Sequence, residues 1–250
     1  FPTRRSSDLV RRRGRFLHFP HRRARNNDTH DRMMRCIMEA SGCAVIGIDY
    51  HLAPEVKFPI PLYEAAAVVR YFHENSSQWG ILPDHMAIGG DSGGANLALA
   101  TNLYLRDAFS ENDYICALLL YYGTFGLSDA ASKRLYGTEL DGLRQSDMAY
   151  YLGCYLENPQ EDSKNPYFAT LNNDLTHGIP ATYLCCGTLD PLLDDSIALD
   201  EILRHHGVRT QFDRVPGALH AFMHYGRMMD EAISCLEHSG KFLAEELKKA

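Results

Sequence analysis

The sequence predicts an α/β fold, a mostly parallel sheet with helices on both faces. Three observations carry that expectation. Strand-like and helix-like segments alternate from residue 27 to the C terminus. The strand-like segments are short, nearly continuous apolar runs, as in strands buried on both faces. At 250 residues, 45% hydrophobic and 23% charged, the chain has the size and composition of one large domain of this class.

Each element has a local reason. Asp28-Thr29-His30-Asp31 offers helix-capping groups, Met33, Met34, Ile37 and Met38 follow at helical spacing, and Ser41-Gly42 stops the helix. Cys43–Asp49 reads as a buried strand. A loop with Pro54, Pro59 and Pro61 leads into a helix over Leu62–Asn75, with Ala65, Val68, Val69 and Phe72 on its inner face. His85–Gly90 is a strand, Ala95–Arg106 a helix and Tyr114–Tyr122 a strand. Residues 124–165 are polar and irregular with helical patches, and read as a cap-forming insertion. Ala181–Gly187 is a strand, Asp194–His206 a helix, Arg209–Val215 a strand and Arg227–Lys248 a final helix.

Charge divides the chain. Residues 1–25 hold nine arginines and one acid, Asp8, leaving 16 of the 25 basic residues against 31 of the 32 acidic ones in the remaining 225. An acidic body argues against a nucleic-acid partner. The basic head has no apolar stretch after it, as a secretory signal would require. Phe1–Leu9 reads as one translated frame of a sequencing adapter, and residues 1–26 as a non-native or frame-damaged segment ahead of a catalytic domain at 27–250. No apolar run is long enough to span a bilayer. The seven cysteines are odd in number and lack CxxC or Cys/His ligand spacing, so the expectation is a reduced, cytoplasmic protein without structural zinc.

One motif carries chemistry. Gly90-Asp91-Ser92-Gly93-Gly94 fits G-x-S-x-G and falls between a strand and a helix, where a nucleophile elbow belongs. So tight a turn holds the serine in a strained conformation with Oγ exposed, and aims the helix N-terminal amides at the site. A serine nucleophile needs a base, and the base an orienting acid, in the order Ser…Asp/Glu…His on such a sheet. Asp190 follows the strand Ala181–Gly187, and the neighbouring Asp194 and Asp195 are better placed to cap the next helix. His220 follows the strand Arg209–Val215. His224 is its competitor, although its position already suits the final helix, and His205 and His206 read as a polar helix end.

Several motifs together resemble the hormone-sensitive-lipase family of α/β-hydrolases, and within it the bacterial acetyl esterases. They are Asp49-Tyr50-His51-Leu52-Ala53-Pro54-Glu55, Gly90-Asp91-Ser92-Gly93-Gly94, Asp190-Pro191-Leu192 and His220-Ala221-Phe222. Asp28-Thr29-His30-Asp31-Arg32, Asn172–Thr176 and Met223–Met229 are similar to acetyl-esterase sequence in particular. The likeness runs from about Asp28 to the C terminus. It implies an α/β-hydrolase fold with an incomplete cap, a Ser92–His220–Asp190 triad, and cofactor-free, metal-free hydrolysis of short-chain carboxylic esters. Gly93 N–H is the expected oxyanion donor, and Tyr121, Tyr122 and Phe125 are expected acyl-pocket walls. The expected partner is a small ester, with no membrane; the sequence leaves the oligomeric state open.

The family's H-G-G-G oxyanion segment is not matched. Spacing back from Asp28 sets its histidine at His18, where Phe19-Pro20-His21 stand in place of glycines. Proline has no N–H to donate. Losing one oxyanion donor costs about 10²–10³ in kcat, so the chain as written is expected to be a slow esterase. A non-catalytic binding partner, or an amide or peptide hydrolase on the same fold, stay open as alternatives.

Overall fold

The structure is a computed structural model that describes residues 15–19, 27–139 and 143–249. Its sheet is built from β1 (Arg15–Phe19), β2 (Ala44–Gly47), β3 (Met86–Asp91), β4 (Ile115–Tyr121), β5 (Ala181–Gly187) and β6 (Thr210–Val215). Their order is β2-β1-β3-β4-β5-β6, and every neighbouring pair is parallel. Parallel neighbours require crossovers, and the helices supply them: α1 (Asn27–Ser41), α2 (Ile60–Glu74), α3 (Gly93–Phe109), α4 (Ala131–Leu135), α5 (Gln145–Tyr155), α6 (Pro159–Asp162), α7 (Leu193–His205) and α8 (Asp230–Glu246).

Strand parity assigns each side chain to a face. On β4, Leu118 and Leu120 point into the core shared with α2, α3 and α7, whereas Ala117, Leu119 and Tyr121 point toward α1 and α8. Each such leucine, fully buried, contributes roughly 1.5–3 kcal/mol. α3 runs against the middle of the sheet, with Ala95, Ala98 and Ala100 letting it approach closely. On the other face α8 crosses α1 so tightly that a Cβ on Gly240 would stand 2.4 Å from Ala40 Cβ and 3.1 Å from the Ser41 amide nitrogen. Glycine there is a condition of that packing.

The structure bears out the alternation and moves several boundaries. α8 begins three residues later than expected, because Tyr225 O accepts the Met228 and Met229 amides in a turn. His224 therefore lies in a 3₁₀ turn, Phe222–Tyr225, and not in the final helix. β1 was not expected: Arg15–Phe19 pairs with β2 and β3 inside the arginine-rich head, its last residues His18 and Phe19 in register with Gly89 and Gly90. The other residues up to 26 lie outside the described ones. Within 124–165 the helical patches are α4, α5 and α6. Among the described residues no helix is long and apolar enough to cross a membrane.

Candidate active site

The site is built at the C-terminal edge of the sheet, where parallel strands deliver their following loops to one side. β3 runs into α3 through Ser92, whose φ of 55° and ψ of −119° put a non-glycine residue in the left-handed half of the map. The turn is held from outside, since the Ser92 amide donates to Tyr121 O at 2.9 Å. Asp190 comes three residues after β5 and His220 five after β6.

These three side chains meet. His220 Nε2 lies 2.9 Å from Ser92 Oγ, and His220 Nδ1 lies 2.8 Å from Asp190 Oδ2. With the proton on Nδ1, the imidazole donates to the carboxylate and accepts from the serine hydroxyl. The other carboxylate oxygen, Oδ1, accepts the Leu192 amide at 2.8 Å. Asp190 is fully buried, and Ser92 and His220 are buried to within a few per cent. His224 takes no part in this chain. It faces the preceding residue, with Nε2 3.5 Å from Asp91 Oδ2, while His30 Nε2 on α1 lies 3.2 Å from Asp91 Oδ1.

Ser92 and Gly93 open onto a cavity of about 420 Å³. Its walls are mainly apolar: Leu52, Ala53 and Pro54 from the loop after β2, Met148, Tyr151 and Tyr155 from α5, and Leu143, Phe168 and Leu192. The three expected wall residues are not among them. Tyr121 has the wrong strand parity, and its hydroxyl donates to Ser239 Oγ on α8 at 2.9 Å. Tyr122 is fully buried with its ring edge-on to His220 and Phe222, so it backs the imidazole rather than the cavity. Phe125 packs in the core beneath α3. Burial of Tyr121 and Tyr122 pushes both phenols well above their ordinary pKa, which keeps them neutral.

Asp194 and Asp195 do not cap α7, as was expected of them. Asp195, fully buried, accepts the amides of Phe125, Gly126 and Leu127 at 2.7, 2.9 and 3.2 Å and pairs with Lys133 Nζ at 2.9 Å. Asp194 Oδ2 accepts the Ser132 amide at 2.9 Å. Asn96 on α3 donates to Thr124 O and Phe168 O at 2.9 and 2.7 Å. Together these hold the loop that carries Thr124, a cavity residue. Their only trace in the sequence is the acidic pair itself, because its partners lie about 70 residues away.

The chain is similar to known proteins in sequence and in fold. Residues 23–224 match a family model described as alpha/beta hydrolase fold. The chain is 40% identical over 223 residues to the acetyl esterase of Salmonella typhi, covering 89% of this chain and 69% of that protein. The acetyl esterase of Salmonella agona matches to the same extent. Among solved structures, a hyperthermophilic esterase from the archaeon Pyrobaculum calidifontis superposes with a TM-score of 0.88 at 27% identity, covering 94% of this chain and 75% of its own. A thermophilic carboxylesterase cloned from a metagenomic library superposes with the same TM-score at 25% identity, covering 94% and 80%.

Proposed function

Because the chain belongs to the α/β-hydrolase-fold family and is a serine ester hydrolase of the acetyl-esterase kind, we propose that Ser92, His220 and Asp190 are its catalytic triad. On this reading they cleave short-chain acyl esters through an acyl-enzyme. The observation that carries the reading is the continuous Ser92 Oγ–His220–Asp190 contact, 2.9 and 2.8 Å, at the mouth of an apolar cavity.

Ser92 Oγ attacks the ester carbonyl carbon as His220 Nε2 takes its proton. Asp190, through the Nδ1 hydrogen bond, holds the ring's orientation and stabilises the imidazolium. Gly93 N–H, in the first turn of α3, donates to the tetrahedral oxyanion, helped by the helix N-terminal field. His220 returns the proton to the leaving alkoxide. Water then attacks the acyl-enzyme by the same route in reverse, releasing the acid and regenerating Ser92. The acyl group and the apolar part of the alcohol occupy the cavity, and α5 acts as part of a cap over it. No cofactor or metal is needed for these steps.

Hydrolysis of a short aryl acetate, with Ser92→Ala as control, tests the proposal. Serine-dependent turnover is the expected result. Undiminished turnover by the folded Ser92→Ala variant would remove the mechanism, and a folded wild-type chain inert toward esters and amides alike would favour a binding role.

A further inference from the structure

We propose that His30, Asp91 and His224 form a binding site for one divalent transition-metal ion of the zinc class, on the opposite side of the nucleophile elbow from the substrate cavity. The three come from separate elements, α1, the end of β3 and the 3₁₀ turn after the His220 loop. One ligand atom from each lies within 4.8 Å of the other two. None of the three lines the cavity, although Asp91 directly precedes Ser92.

The donor set suits such an ion. Two imidazole nitrogens and one carboxylate are the ligands of many three-coordinate protein zinc sites that leave one position for water. Bonds of 2.0–2.1 Å set tetrahedral ligand–ligand edges of about 3.3 Å. His30 Nε2 stands 3.2 Å from Asp91 Oδ1 and His224 Nε2 3.5 Å from Oδ2, so the two imidazoles flank the two carboxylate oxygens, and a shared ion is held by both oxygens or by one after a small carboxylate rotation. His30 and His224 meet edge-on, with ring centroids 4.9 Å apart and an interplanar angle of 81°, so both present nitrogen toward the same carboxylate without stacking.

Burial and access also fit. His30 and Asp91 are within 1% of full burial, so a carboxylate sits in a weakly screened environment where a cation is strongly attracted. The His224 side chain is 14% exposed and sits on a short turn. It supplies both an entry route and the side-chain movement that closes the third edge. The scaffold is already tied together, because Arg32 on α1 donates to Gly226 O, just past that turn, at 2.5 Å. Two neutral histidines and one aspartate bring only one negative charge. An incoming divalent ion therefore leaves the site at +1, and a bound hydroxide or other anion can neutralise it.

The test is zinc binding to the full-length chain, by calorimetry and by thermal melting, with cobalt(II) as a spectroscopic probe. Wild type should bind one zinc per chain and melt about 5–10 °C higher at a hundredfold excess over Kd. Cobalt should give the intense visible bands of a low-coordinate site. His30→Gln, Asp91→Asn and His224→Gln should each weaken zinc by about 100-fold or more, the upper end of what even an outer-shell loss produces. The double variant His205→Ala/His206→Ala removes the exposed histidine pair at the end of α7 and should bind as wild type does. Metal-free melting establishes which variants fold, and variants on three separate elements make a failure of all three improbable. Absence of one-equivalent binding by wild type overturns the proposal, leaving the trio as a hydrogen-bonded brace. So does binding that survives in the folded variants or is lost with His205 and His206.

Discussion

Replacing Asp195 by alanine tests whether a distant carboxylate holds the cavity wall. Its Oδ1 accepts three consecutive amides, Phe125, Gly126 and Leu127, at 2.7–3.2 Å, and its Oδ2 faces Lys133 Nζ at 2.9 Å. Hydrogen bonds to a charged acceptor contribute about 1.5–3 kcal/mol each, but three amides sharing one oxygen are not additive. Lys133 is about one-fifth exposed and can turn to solvent, so its share is the smaller one. Leaving three buried amides without their acceptor, at about 1–3 kcal/mol each and less than additive, costs about 3–5 kcal/mol in all. For a chain of this size that lowers Tm by roughly 6–20 °C. Asp195→Asn keeps one acceptor oxygen and should lose about half as much. Lys133→Met leaves the three amides satisfied but takes the cation from a buried carboxylate, and should lose about 1.5–3 kcal/mol. Urea titration gives the stabilities, and ester kinetics should show KM rising more than kcat falls, because Thr124 and its loop border the cavity. A loss under about 1 kcal/mol in Asp195→Ala would refute the reasoning, since solvent would then be satisfying those amides.

Three further outcomes are expected. Gly240→Ala should cost about 1–3 kcal/mol by forcing α8 away from Ala40, read as a lower urea midpoint with the same slope. Asp190→Asn should lower kcat about 10⁴-fold with little change in thermal stability, since the imidazole then loses its orienting charge. Cys116, whose thiol is pushed up to about 12 by burial, is about one part in 10⁴ thiolate at pH 8, and burial likewise raises the Cys185 and Cys186 thiols well above their ordinary value. Iodoacetamide followed by peptide mass mapping should leave these three unmodified in the native chain and label Cys154, which lines the cavity.

The meeting of Ser92, His220 and Asp190 was legible because its signals are local. A glycine-framed serine at a strand–helix junction, and an acid and a histidine each just past an apolar run, are readable from one chain. The cavity was not, because strand parity says which side chains share a face but not which face opens on the site. Tyr121 shares its parity with Ala117 and Leu119, and that face packs on α1 and α8. Asp195 was misassigned for a related reason. An aspartate in the first turn of a helix normally answers to that helix, and only the folded chain brings residues 125–127 to it. β1 was hidden because arginines surround its short Arg15-Phe16-Leu17-His18-Phe19 run, which has no regular alternation. His30 read as one of a set of helix-capping groups and His224 as the rival of His220, until the fold set both against Asp91.

The spacing of Ser92, Asp190 and His220 follows from the strand order. β3 and β5 are two strand spacings apart and β3 and β6 three, so about 10 and 14 Å separate the points where the chain leaves the sheet. Serine can follow its strand at once. The acid arrives three residues past β5. Histidine must cross back toward β3, and five residues, reaching at most about 17 Å, are enough for that and little more. The base and acid loops are fastened to each other: Thr188 N donates to Val215 O, Leu189 N to Ala218 O, and Gly217 N to Thr188 Oγ1, at 2.9, 3.1 and 2.8 Å. A Cβ on Gly187 would stand 2.2 Å from Ala218 O, so the two loops also touch where no side chain fits. Asp190 and His220 thus sit on one fastened unit, which the side chain of Ser92 meets through the 2.9 Å contact to Nε2. The elbow meets the chain just past His220 a second time, at Asp91 Oδ2 and His224 Nε2, 3.5 Å apart. Perturbations of the elbow, of Asp91 or of the cavity loop should therefore act on the serine–imidazole contact before they disturb the imidazole–carboxylate one.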